Sequence, residues 1–98
     1  MAKAFYADVS NYCLRFYIQN PEPHFENEVE RLNWEACEKA LEPYTPWEKE
    51  VIRYIFLEKG SIVENAKDIS IIKAMPLNRI WRLLSNIERD VAIARKLI

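Results

Sequence analysis

A single glycine, Gly60, serves all 98 residues of this chain, and that scarcity constrains the fold more than any other feature. Hairpins and bulges take glycine wherever φ must be positive, so a chain almost free of it is poorly suited to an all-β design. Long helices need such a residue only at their ends. Half of the residues are hydrophobic and 12% are aromatic, far from the composition of disordered chains. A chain of this length can also enclose one core without metal or disulfide staples. The expectation is an all-α fold.

Prolines and capping residues divide the chain into about five helices. In "DVSNYCLRFYIQN", Val9, Cys13, Phe16 and Tyr17 recur with helical spacing, and Pro21 and Pro23 close the segment. "NEVERLNWEACEKAL" begins with Asn27 as cap and Glu30 as its partner, and places Val29, Leu32, Ala36, Cys37, Ala40 and Leu41 on one face. Its other face carries Glu28, Glu35, Glu38 and Glu42. Thr45, Pro46 and Glu48 give three start signals together for a helix that runs toward Gly60, the residue suited to a left-handed helix end.

Ser61 and Glu64 open a shorter helix with Ala66 and Ile69 facing inward and Ile72 as a further candidate. Pro76 stops it. Leu77 and Asn78 then read as the staple residue and cap of a fifth helix, whose apolar stripe is Ile80, Leu84, Ile87, Val91, Ala94 and Ile98. The expected organisation is one helical domain over 1–98, with acidic helices in 8–42 and a helix-turn-helix in 45–98. "NPEPHFEN" is the one stretch expected to be irregular over several residues.

The charge is uneven along the chain. Met1 to Pro46 holds four Lys/Arg against eight Asp/Glu, while Trp47 to Ile98 holds ten against seven. Lys73 to Ile98 is the most basic part, six basic residues against two acidic, a net of +4. Charge of that sign on one element is a candidate nucleic-acid footprint.

The sequence points away from catalysis. His24 sits between prolines and acidic residues with no cue pairing it to a nucleophile, and reads as a surface residue. A phosphate-cradling loop needs several glycines, and no metalloprotease or nucleophile-elbow motif occurs. Cys13 and Cys37, outside any CxxC pair, read as reduced buried thiols rather than zinc ligands, so no cofactor or metal is expected. Trp34, Trp47 and Trp81 are expected to pack rather than to stack on bases. Met1 to Ser10 lacks the basic start and apolar block of a secretory signal, and no apolar run approaches the roughly 18 residues of a membrane span, so a cytoplasmic protein is expected.

On the fifth helix, Arg79, Arg82, Asn86 and Arg89 recur at spacings of three, four and three, away from much of the apolar stripe. Arginine contacts guanine or phosphate, and asparagine pairs with adenine. A short helix, a proline-containing turn and a long basic helix follow in the order a helix-turn-helix requires. The expected DNA contacts are Lys73, Asn78, Arg79, Arg82, Asn86 and Arg89. An exposed helix face is ordinarily charged, however, so a solvated surface explains the same stripe.

From Leu41 to Leu97 the chain resembles the sigma-70 region 4 family and its phage and mobile-element relatives. "LEPYTPWEKEVIRYIFLEKGSI" resembles the start of that region, and "AMPLNRIWRLLSNIERDVAIARKL" is similar to its turn and recognition helix. The resemblance implies Asn78 at the start of a recognition helix, Arg79 and Arg82 toward DNA, and Leu77, Ile80 and Leu84 behind them in the core. Pro76 stands where the family has its turn glycine, and residues Ser61 to Lys73 align only with a shifted register. "LRFYIQNP" and "NWEACEKAL" are similar to segments of small uncharacterised Firmicutes proteins, some near mobile elements, a likeness that implies no activity. Two functions follow as expectations: duplex DNA binding in transcriptional control, or a non-enzymatic interaction module that docks RNA polymerase or a second copy of itself.

Overall fold

The structure, a computed structural model, describes residues 5–22 and 24–98. Among these the fold is all-α, with five helices: α1 Ala7–Gln19, α2 Glu28–Leu41, α3 Pro46–Leu57, α4 Ile62–Ile72 and α5 Leu77–Ala94. The expected closure by Pro23 lies outside the described residues.

Helix starts follow the capping chemistry. The Asn27 side chain accepts the Glu30 N–H, and Thr45 and Glu48 form a complete capping box with Pro46 at the first helical position. Ser61 accepts the Glu64 N–H. The fifth start differs from expectation: α5 begins at Leu77, behind Pro76, with no side-chain cap, so Asn78 lies inside the first turn. Proline presets the φ that a helix entry needs and supplies no capping oxygen.

Helix ends differ more. Gly60 does have a positive φ of 118°, but α3 ends earlier, with Glu58 extended. The terminal carbonyls of α3 are taken by side chains instead. Asn65 Nδ2 donates to Ile55 O at 2.9 Å and Glu58 O at 3.1 Å, and Gln19 Nε2 donates to Phe56 O at 3.2 Å. The left-handed cap belongs to α4: Ala74 has φ 52°, Met75 N–H donates to Ser70 O at 2.9 Å, and Ala74 N–H donates to Ile71 O at 3.2 Å. These two bonds make a Schellman motif around a residue that is not glycine. Lys96, with φ 62°, ends α5 in the same way.

All five helices contribute to one apolar cluster, including Cys13, Leu14, Cys37, Ile52, Phe56, Ile69, Ile80 and Ile87. α1 packs against α2, α3 and α5; α2 also lies on α5, and α4 bridges α3 and α5. The acidic pair α1–α2 therefore shares its core with the rest of the chain. Both cysteines are fully buried free thiols. Burial pushes Cys37 well above the ordinary thiol range, and Cys13 rises for the same cause against a partial offset from Arg95.

Several apolar residues leave the places expected of them. Val9, at 45% exposure, Val29 and Leu32 face solvent, as do Ile72 and Ile98. The inward rows contain polar residues that apolar periodicity overlooks. Buried Ser10 donates to Glu88 O at 2.7 Å, and buried Asn33 accepts Arg95 Nε at 2.7 Å. Once Ser10 and Asn33 face inward, the helical period turns Val9, Val29 and Leu32 away from the core. Along α5, Ile80, Leu84, Ile87 and Val91 are buried as expected, joined by Leu83 and Ala92.

Candidate nucleic-acid interface

α5 separates its faces cleanly. At 3.6 residues per turn, Asn78, Arg79, Arg82, Asn86 and Arg89 fall within an arc of about 100°, opposite Ile80, Leu84, Ile87 and Val91. All five polar residues are exposed, and the four apolar ones are buried. Burial of the apolar arc orients the helix, so the basic arc points outward as a consequence of core packing.

That arc borders the start of α3. Arg79, Arg82 and Asn86 share a groove of about 330 Å³ with Thr45, Trp47, Glu48, Met75 and Leu83. A neighbouring hollow continues along α5 past Asn86 to Arg89 and Asp90, and is closed on the far side by Pro43 and Tyr44. The Tyr44 hydroxyl donates to Asp90 Oδ2 at 2.6 Å, which ties the α2–α3 connection to α5. Burial, followed by that hydrogen bond, holds the Tyr44 phenol above its ordinary range and keeps it a donor. Asp90 is therefore engaged with Tyr44, and the Arg79 and Arg82 side chains make no hydrogen bond or ion pair among the described residues.

Of the six expected contacts, five share this face and one is diverted. Lys73 caps the end of α4, half-buried, with its Nζ 2.7 Å from Glu50 Oε1 on α3. Its charge is matched within the fold, whereas the α5 arginines form no ion pair among the described residues. Sequence reasoning also missed Trp47. Expected to pack, it is 39% exposed and lines the groove beside Arg79 and Arg82. Its place in the first turn of a capped helix carried that signal, since first-turn residues flank a helix end rather than its packed middle. Trp34 and Trp81 do pack, each partly buried, and His24 is exposed in the α1–α2 connection.

The chain has no match among known protein families, characterised proteins or solved structures. No helix among the described residues is long and apolar enough to cross a membrane.

Proposed function

We propose that this chain is a non-catalytic duplex-DNA-binding protein acting in transcriptional control, with α4 and α5 as a helix-turn-helix and α5 as its recognition helix. One observation carries the reading: Arg79, Arg82, Asn86 and Arg89 are exposed along one face of a helix whose opposite face is in the core. The turn supports it. Residues 73–76 join the two helices through a left-handed Ala74, and the first turn of α5 has no side-chain cap closing its N–H groups. A recognition helix enters the major groove by that end, where the N–H groups and dipole favour phosphate. Arg79, Arg82 and Arg89 supply phosphate or guanine contacts, Asn78 and Asn86 contact base edges or the backbone, and Lys73 plays a smaller part because Glu50 already pairs with it.

The test is fluorescence anisotropy of a mixed-sequence duplex at about 50 and 200 mM salt, across which a phosphate-driven complex weakens steeply. Arg79→Glu combined with Arg82→Glu should abolish binding and leave the thermal midpoint almost unchanged, because both side chains are exposed. Absence of binding by the parent chain at low salt would refute the reading.

Exposed apolar side chains favour a second reading, self-association. Val9 and Tyr12 are exposed on the outer side of α1 with Phe5 exposed in the turn before it, and Ile71 and Ile72 lie bare at the end of α4, Ile71 at 80% exposure. Sedimentation showing a strict monomer at high protein concentration would remove it.

A further inference from the structure

A second concavity lies between the end of α1, the second half of α2 and α3. Its volume is about 550 Å³, inside the roughly 300–1,000 Å³ of small-molecule sites. Buried Ile18, Leu41 and Ile52 form its apolar floor. Tyr17 and Trp34 line it as a pair of rings with centroids 5.2 Å apart, and Phe25 backs Trp34 at 5.8 Å. Aromatic walls of this kind take another flat ring in tilted or offset contact.

The two rims carry opposite charge. α2 contributes Glu38 and Glu42, and α3 contributes Lys49 and Arg53. No ion pair joins the rims among the described residues, so a carboxylate pair faces a cation pair across open space. Glu38 accepts the Tyr17 hydroxyl, which burial first and Glu38 second hold in its protonated form. A third feature is internal: Trp34 Nε1 is buried without an acceptor among the described residues, a donor that buried sites ordinarily satisfy.

A ligand of one charge would meet one favourable rim and one repulsive rim. A ligand with both charges and an aromatic ring satisfies both rims and the walls. We propose that this cleft binds a small aromatic zwitterion of the free aromatic amino acid type, its ring against Tyr17 and Trp34, its ammonium toward Glu38 and its carboxylate toward Arg53.

The test contains no DNA and is independent of the interface on α5. The intact chain is titrated separately with L-phenylalanine, phenylacetate and phenethylamine while the tryptophan indole N–H signals are followed by nitrogen–proton correlation NMR. Trp34→Phe identifies one signal, and proximity to the Glu38→Gln change provides a second assignment. L-Phenylalanine should shift the Trp34 signal saturably, with the two single-charge probes binding roughly tenfold more weakly, the effect of losing one hydrogen bond to a charged group. Arg53→Gln should weaken phenylalanine and phenylacetate but spare phenethylamine, and Glu38→Gln should do the reverse. Both substitutions are at exposed positions and should leave the fold intact. No saturable shift with any probe, equal affinity for all three, or movement of the Trp47 or Trp81 signals in place of Trp34 would each overturn the proposal.

Discussion

The corner between α3 and α4 and the corner between α4 and α5 each turn the chain in four residues, by different means. The first uses the only glycine, at φ 118°, and relies on the buried amide of Asn65 to collect the carbonyls that α3 leaves open. The second uses alanine at φ 52° and closes with two backbone bonds, while Ser70 donates to the Met75 carbonyl. At Gly60 torsion opposes a side chain and space crowds it, because an added Cβ would lie 3.0 Å from Asn65 Oδ1 and the amide would have to give way. At Ala74 only torsion opposes one, and the backbone bonds offset that cost. Glycine is thus favoured where a side chain of the next helix crowds the turn, and is dispensable where the two backbone bonds of a Schellman motif close it.

Asn65→Ala should show the largest effect that sharpens this contrast. It leaves the carbonyls of Ile55 and Glu58 without their donor in a buried setting, for a loss of about 3 kcal/mol by chemical denaturation. A loss below about 1 kcal/mol would mean that water replaces the amide and that the corner does not depend on it. Gly60→Ala should cost about 2 kcal/mol, combining a torsion that L-residues rarely adopt with the close approach to Asn65. The two losses should add poorly, since both act on the Asn65 amide.

The contrast also explains what was legible in the sequence. Thr45, Pro46 and Glu48 act within four consecutive residues, and Asn27 and Ser61 likewise cap their own helices, so local chemistry sufficed. The basic arc of α5 was legible because its apolar face follows one strong period from Ile80 to Val91. The end of α3 was not, because its caps come from Asn65 and Gln19, side chains that only tertiary packing brings there. The inward Ser10 and Asn33 were hidden similarly, since a periodicity of apolar residues is blind to polar ones that find partners across helices. The Lys73–Glu50 pair spans 23 positions and gives no local signal, so the sequence alone does not separate Lys73 from the cations of α5.

The Ala74 corner makes the opposite prediction to the Gly60 corner. Ala74→Gly relieves a left-handed residue of about 1–2 kcal/mol of strain and adds about 0.5–1 kcal/mol of chain entropy to lose on folding, leaving a net gain near 0.5 kcal/mol. A small rise in the thermal midpoint would support the assignment. A clear fall would show that the Ala74 methyl group contributes packing that the corner needs, and that the two corners are alike.

The smallest stability effect is expected at Glu50, which cross-links the α4–α5 corner to α3. Its pair with Lys73 is 2.7 Å long, but the Glu50 side chain is 60% exposed, so Glu50→Gln should change stability by less than about 0.5 kcal/mol. Its informative readout is the interface. Removing that carboxylate frees Lys73 next to the start of α5 and deletes a negative charge that would oppose phosphate. If α4 and α5 bind DNA as proposed, duplex affinity at low salt should rise about two- to threefold and the salt dependence should steepen by up to about one unit, the contribution of one added phosphate contact. Unchanged affinity with unchanged salt dependence would place Lys73 outside the contact surface and confine that surface to the exposed arc of α5. Weaker binding would show that Glu50 positions Lys73 rather than occupying it, and the α4–α5 corner would then itself be part of the binding site.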